Sequence, residues 1–104
     1  MPEKQFRVPL DEGFFVVAES RREGGRIVEF VVRLMGEMPD GILQNIARFD
    51  SAHGVPHLDI LSRSGKQIEK IWFPGLDFDS VYGYALQEFK TNHAYYICRC
   101  EKTV

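Results

Sequence analysis

Cysteine is scarce in this chain of 104 residues, which has only Cys98 and Cys100. So close together in the sequence, they are poorly placed for an unstrained disulfide or, by themselves, for a zinc site. No apolar run approaches the length of a membrane span. The opening stretch MPEKQFRVPLDEG also lacks the apolar segment of a signal peptide. These absences predict a cytoplasmic protein with reduced thiols and no membrane contact.

Sequence signatures of common cofactors are missing as well. We find no P-loop, no GxGxxG opening a helix and no CxxC, so no cofactor is expected. There is no internal repeat, low-complexity segment or linker, and the length suits one domain over residues 1–104. The formal net charge of −2 and the pI of about 5.9 argue against broad attraction to nucleic acid or anionic membrane. A local basic patch is still compatible with them.

What the chain does contain is a series of β-branched and aromatic runs separated by turn signals. The runs predict strands at residues 14–20, 26–36, 42–50, 57–62 and 67–73. The first hairpin turns at Glu23-Gly24 or at Gly24-Gly25, because either register pairs apolar residues. The pattern predicts an α+β domain: a five-stranded, mostly antiparallel meander sheet with one C-terminal helix packed on one face.

The C-terminal helix is predicted from Phe78 onward, where apolar residues recur at helical spacing. Asp77 or Asp79 can cap its first turn, where a negative charge suits the helix dipole. Residues 94–101 are compatible with a continuation of the helix or with a short last strand, and we favour the helix.

Turn lengths predict which side chains meet across the last three strands. A two-residue turn at positions 64–65 pairs Leu61 with Ile68, Asp59 with Lys70, and His57 with Trp72. Setting Asp50 opposite His57 across the loop 51–56 pairs Arg48 with Asp59. Because side chains alternate along a strand, both registers collect the same polar groups on one face. That face holds Arg48, Asp50, His57, Asp59, Lys70 and Trp72, with His53 at its rim.

This group favours metal-free acid–base chemistry or binding on a phosphate-bearing ligand, with RNA the leading candidate. His57 or His53 would be the general base or acid, and Asp50 would orient His57. The binding residues would be Arg48 and Lys70 for phosphate, Trp72 for stacking on a base, and their neighbour Asp59. The sequence thus predicts a ribonuclease-like phosphodiesterase or a small-molecule phosphate site.

Two other interpretations stay open. Asp50, His53, His57 and Asp59 carry oxygen and nitrogen ligands that Zn²⁺ or Mn²⁺ accepts, although no metal is the favoured interpretation. Alternatively, Arg48, Asp59 and Lys70 form only a cross-strand charge ladder on a solvated face. The protein would then be a non-enzymatic interaction module or a homodimer, using the exposed sheet face or the aromatic helix.

Residues 47–74 resemble the central motif of a family of small uncharacterised prokaryotic proteins. The motif reads Arg-aromatic-Asp-x-Ala-His-Gly-x-Pro-His-x-Asp and begins here at Arg48. Its Asp-x-Ala-His-Gly-x-Pro-His core is also similar to TumE-like toxins of prokaryotic toxin–antitoxin modules. Those toxins often carry a further His just after the Pro-His pair, where this chain has Leu58 and Asp59. The second resemblance implies an antitoxin-like protein partner.

Overall fold

The computed structural model describes residues 4–38 and 40–103. The strands are β1 (Lys4–Pro9), β2 (Phe14–Glu23), β3 (Arg26–Glu37), β4 (Leu43–Asp50), β5 (His57–Leu61) and β6 (Gln67–Trp72). A 3-10 turn (Ala52–Gly54) follows β4, and the long helix α1 (Phe78–Lys102) ends the described chain. No helix within these residues is long and apolar enough to cross a membrane.

The strands form one antiparallel sheet in the order β1-β2-β3-β4-β5-β6. The α+β class, the antiparallel sheet and the single C-terminal helix are confirmed, but the prediction of five strands is wrong because the sheet has six. The missed strand, β1, lies at the sheet edge and is almost entirely exposed. An edge strand needs only one partner and little burial, so its sequence carries no strong alternation signal.

The first hairpin turns at Gly24-Gly25, which decides between the two predicted positions. Both glycines have positive φ, 58° and 80°. That combination is the type I′ turn, whose twist matches the flanking strands. Glu23 consequently pairs with Arg26.

The core lies between one face of the sheet and α1. Its aromatic centre is Phe49 of β4, whose ring centroid is 5.1 Å from that of Phe89 on the helix. The helix presents a stripe of buried residues at helical spacing: Val81, Tyr82, Ala85, Phe89, Tyr96 and Cys100. The sheet contributes alternate positions, among them Val16, Ala18, Val32, Leu34, Ala47, Phe49, Leu58 and Ile60. Packing on this face leaves the opposite face, which we call the outer face, without a helix in the described part of the chain.

Both ends of α1 agree with one of the predicted alternatives. Asp77 is the N-cap, and its carboxylate accepts a hydrogen bond from the Ser80 amide at 2.8 Å. Asp79 instead accepts a hydrogen bond from the Ile27 amide at 3.1 Å, which ties the start of the helix to β3. Residues 94–101 are helical, as favoured, because Tyr96 and Cys100 continue the buried stripe.

The registers that bring the polar side chains together are confirmed, with one error near the last hairpin. Leu61 pairs with Gln67 rather than with Ile68, and a bulge lies between Ile60 and Leu61. The amide of Ser62 donates to the carbonyl of Lys66, so the hairpin loop is longer than the predicted turn. The bulge accommodates the extra residue, so the pairs formed by His57 to Ile60 are those predicted.

Candidate functional site

Six side chains on three adjacent strands of the outer face form what we call the polar cluster. Its members are Arg48 and Asp50 on β4, His57 and Asp59 on β5, and Lys70 and Trp72 on β6. Arg48 is opposite Asp59 and Asp50 opposite His57, while Asp59 also faces Lys70 and His57 also faces Trp72. The central strand β5 therefore supplies the two residues that touch both neighbouring strands.

The imidazole of His57 lies at the centre of the cluster and is only 2% exposed. Its Nδ1 atom is 3.0 Å from the carbonyl oxygen of Val55. A carbonyl can only accept, so Nδ1 carries a hydrogen and donates it. Nε2 faces the carboxylates, 3.0 Å from Oδ1 of Asp50 and 3.6 Å from Oδ2 of Asp59. The carbonyl of Val55 thus orients the His57 ring so that Nε2 points toward both carboxylates.

Arg48 bridges the same two acids from the solvent side. Its Nε is 3.1 Å from Oδ2 of Asp50, and its Nη2 is 3.0 Å from Oδ2 of Asp59. Lys70 places its Nζ 3.5 Å from Oδ1 of Asp59. The two carboxylates are buried, whereas the side chains of Arg48 and Lys70 are 36% and 25% exposed. The two carboxylates are therefore buried beneath the two cations, which are in contact with solvent.

Trp72 covers one side of the cluster from the edge strand. Its ring centroid is 5.0 Å from that of His57, and the Nζ of Lys70 is 4.9 Å from the indole centroid. Nevertheless, Trp72 itself is 48% exposed. The indole shields the imidazole and still presents about half of its surface to solvent.

His53 lies outside the polar cluster, on the 3-10 turn. It is exposed and adopts a left-handed backbone conformation with φ 67°. It borders a cavity of about 460 Å³ at the end of the sheet, whose lining includes Asp50, Ser20 and Phe78. Of the six cluster residues, Asp50 alone lines this cavity. His53 thus lines this cavity, whereas His57 belongs to the polar cluster.

Sequence reasoning missed several groups that build or extend the site. The carbonyl of Val55 orients His57, and the amide of Ala52 donates to Oδ1 of Asp50 at 2.9 Å. These partners are backbone atoms, which every residue has, so no residue type in the sequence indicates them. Arg33 of β3 is opposite Arg48 and pairs with Glu19. The same register reasoning, applied to β3, would have placed Arg33 on the outer face beside Arg48.

The arrangement has three chemical capacities. Nε2 of His57 and one oxygen each of Asp50 and Asp59 lie within 4.8 Å of one another, a spacing open to a metal ion. The exposed cations can contact a phosphate, and the indole of Trp72 can stack on a base. The geometry is less suitable for acid–base catalysis, because the His57 ring is buried and both of its nitrogens face protein acceptors.

Fold and cluster together define a small α+β domain with a polar site on the open face of an antiparallel sheet. The chain belongs to the DUF7718 family, described as a domain of unknown function, whose family model matches residues 1–104. This agrees with the expected uncharacterised family. Comparison of the chain with curated proteins and with solved structures gives no match. The likeness to TumE-like toxins therefore stays a prediction.

Proposed function

We propose that the outer face binds a phosphate-bearing ligand, with single-stranded RNA the leading candidate. The observation that carries the proposal is the half-exposed Trp72 beside Lys70, at the end of a row of cations that crosses this face. A base can stack on an exposed indole while neighbouring cations contact the phosphates on either side. The four cations, one on each of four strands, are Arg7, Arg33, Arg48 and Lys70.

The register aligns the four cations in one row, with Val17 of β2 and Asp59 of β5 between them. Arg7 pairs with Val17, Val17 with Arg33, Arg33 with Arg48, and Arg48 reaches Lys70 through Asp59. Neighbouring strands are about 4.8 Å apart, so the row spans roughly 25 Å across the sheet. That length matches a segment of several nucleotides rather than a single phosphate. The domain's negative net charge then limits binding to this face.

The pairing of Arg33 with Arg48 also favours an anionic ligand. Like charges directly opposite each other across two strands repel. Here each guanidinium is held by carboxylates, Glu19 for Arg33 and the cluster acids for Arg48. Their side chains remain 32% and 36% exposed, so a phosphate can reach them without unfolding the cluster. A bound phosphate would contact both guanidinium groups as an additional anionic partner.

The contacts of the two histidines support RNA binding better than RNA cleavage. A general base needs a free lone pair within reach of the substrate proton. Nδ1 of His57 donates to Val55, Nε2 faces Asp50, and Trp72 covers the ring. His53 is exposed enough to act, but it lies apart from the cations of the cluster. We therefore assign His57 and Asp50 to holding the binding face in shape.

The test is binding of fluorescently labelled single-stranded RNA at low and moderate salt. Trp72→Ala should weaken binding about tenfold or more, the usual effect of losing one stacked base. Tyr95→Ala is the matched control, because Tyr95 is an equally exposed aromatic residue on α1. Affinity should fall steeply as salt rises. Absence of binding at low salt, or equal losses in the two variants, would refute the proposal.

The same samples test cleavage directly. RNA integrity is followed on a gel with the wild-type chain and with His57→Ala and His53→Ala. We expect intact RNA in every lane. Cleavage by the wild type that either variant abolishes would restore the catalytic role and overturn our assignment of His57 or His53.

A second candidate function, self-association, follows from the helix side of the edge strand β6. Tyr84 and Tyr95 of α1 are 51% and 55% exposed. Arg99 donates to Glu69 of β6 at 2.6 Å and to the Tyr95 hydroxyl at 3.3 Å. The centroid of the Tyr84 ring lies 6.2 Å from that of Phe73, which follows β6. Exposed aromatic residues beside an unpaired edge are typical of association surfaces. Light scattering over a range of concentrations should give twice the monomer mass, and a constant monomer mass would dismiss this candidate.

A further inference from the structure

We propose that His57, Asp50 and Asp59 bind one divalent transition-metal ion, with Zn²⁺ or Mn²⁺ the best match. The site goes beyond RNA binding and is tested with the metal alone. Its ligand atoms would be Nε2 of His57 and at least one carboxylate oxygen from each acid, and one ligand atom of each residue lies within 4.8 Å of the others. A mixed nitrogen and oxygen set of this kind suits Zn²⁺ and Mn²⁺ better than Ca²⁺ or Mg²⁺.

The orientation of the imidazole is the first argument. Because Nδ1 donates to the Val55 carbonyl, a neutral ring has its lone pair on Nε2. That lone pair is aimed at the oxygens of Asp50 and Asp59, which also only accept when they are ionised. With a neutral ring, three acceptors therefore face one another beneath Arg48, and a metal ion among them would be attracted to all three. A histidine that donates one nitrogen to a backbone carbonyl and offers the other is the usual arrangement of a metal ligand.

The distances are the second argument. Zinc bonds to nitrogen and carboxylate oxygen are about 2.0–2.2 Å, so adjacent ligand atoms are about 3.0 Å apart in an octahedron and about 3.4 Å in a tetrahedron. Nε2 of His57 is 3.0 Å from Oδ1 of Asp50 and 3.6 Å from Oδ2 of Asp59. These two separations are close to those of a zinc site, and the third, between the two carboxylates, is no more than 4.8 Å. His53 is not needed, since it lies outside the group.

An unused acceptor is the third argument. The Asp59 side chain is only 3% exposed, yet its Oδ1 accepts no hydrogen bond from any residue that the structure describes. Its nearest cation is Lys70 Nζ, 3.5 Å away. A buried carboxylate oxygen without a hydrogen-bond donor is energetically unfavourable. Bidentate coordination by Asp59, through Oδ1 as well as Oδ2, would satisfy this atom.

Arg48 is the competitor that sets the affinity. It already bridges the two acids, and with Lys70 it offsets their charge. A divalent ion adds two further positive charges, so it must displace the guanidinium or bind weakly beside it. Removing the charge at position 48 should therefore strengthen metal binding, although it removes a stabilising contact. A purely structural charge network predicts no metal binding in either form.

The experiment is calorimetric titration of untagged, chelator-treated protein with ZnCl₂ and with MnCl₂. We expect saturation at one ion per chain and a rise in melting temperature. Arg48→Gln should bind about tenfold more tightly, and Asp59→Asn about tenfold or more weakly. His93→Gln is the matched control, because His93 belongs to a separate His–Asp pair with Asp11 and should bind like the wild type.

Imidazole NMR signals keep the test valid if Asp59→Asn does not fold. In the wild-type chain, stoichiometric Zn²⁺ should shift the ring signals of His57 and leave those of His93 unchanged. Absence of saturable binding in both the wild type and Arg48→Gln would overturn the proposal. Binding that leaves the His57 signals in place would overturn it as well. To keep the two proposals separate, the RNA titrations described above are run with a chelator present, so neither result affects them.

Discussion

Nε2 of His57 lies 3.0 Å from Oδ1 of Asp50, and both residues are buried on a sheet face that carries no helix in the described part of the chain. The burial comes from their neighbours on the same face. Arg48 covers the acids from the solvent side, and Trp72 lies against the imidazole ring. The polar cluster is therefore part of the packed structure, and we expect substitutions within it to change stability.

His57→Ala should destabilise the fold by about 2–4 kcal/mol, because it leaves a cavity and removes the partners of Val55 and Asp50. The measurement is urea unfolding followed by far-UV circular dichroism. His53→Ala is the control, since His53 is exposed and its loss should change stability by less than about 0.5 kcal/mol. Equal small effects would show that the buried imidazole contributes nothing to the fold.

Arg48 and Asp59 should be coupled energetically. Each contacts the other at 3.0 Å, and the Asp59 side chain is only 3% exposed. A double-mutant cycle with Arg48→Ala and Asp59→Ala should give a coupling energy of about 1–3 kcal/mol, since contacting residues in one network are not additive. The same cycle with Arg21 and Glu29, a more exposed cross-strand pair, supplies the comparison. Additive losses for Arg48 and Asp59 would contradict the network.

Gly36→Ala should destabilise the protein by about 1–3 kcal/mol through overpacking. An added Cβ would lie 2.7 Å from the Phe14 ring and 2.8 Å from Cδ1 of Ile46. Gly83→Ala is the matched control: its Cβ meets nothing within 4 Å, and it lies inside α1. That variant should gain about 0.5–1 kcal/mol, since alanine is the better helix former. Thermal melts of both would show opposite shifts, and shifts of the same sign would contradict the packing at Gly36.

His93 should make stability depend on pH. The carboxylate of Asp11, 2.7 Å from Nε2, raises the pKa of His93 above its ordinary value. A raised pKa in the folded state stabilises the protein fully below the unfolded value of about 6.5, and this stabilisation is lost as pH rises through the folded pKa. The contribution should be below about 1 kcal/mol, because Asp11 is largely exposed.

Asp11→Asn tests that assignment. NMR titration should show a lower pKa for His93 in the variant than in the wild type. The variant should also lose stability at pH values below about 6.5 and match the wild type at high pH. Unchanged titration of His93 would mean that Asp11 does not interact with it in solution.

The sequence by itself determined the helix and the central strands, because these depend on local periods. Alternation along β4, β5 and β6 was enough to place the polar groups of the cluster on one face. Arg48 pairs with Asp59 as predicted, whereas His57 pairs with Trp72 as predicted only because the bulge beside Leu61 compensates for the longer hairpin loop. The helical spacing from Phe78 onward was equally sufficient for α1.

Only the tertiary structure decided the edge of the sheet and the environment of the cluster. β1 is held by pairing with β2 and has no burial pattern of its own, and the bulge beside Leu61 depends on the conformation of the hairpin loop. The covering of His57 by Trp72 and its bond to the Val55 carbonyl depend on side-chain rotamers and on backbone atoms. Residue types along a chain specify which face a side chain occupies, whereas depth and hydrogen-bond partners are set by neighbours brought together through folding.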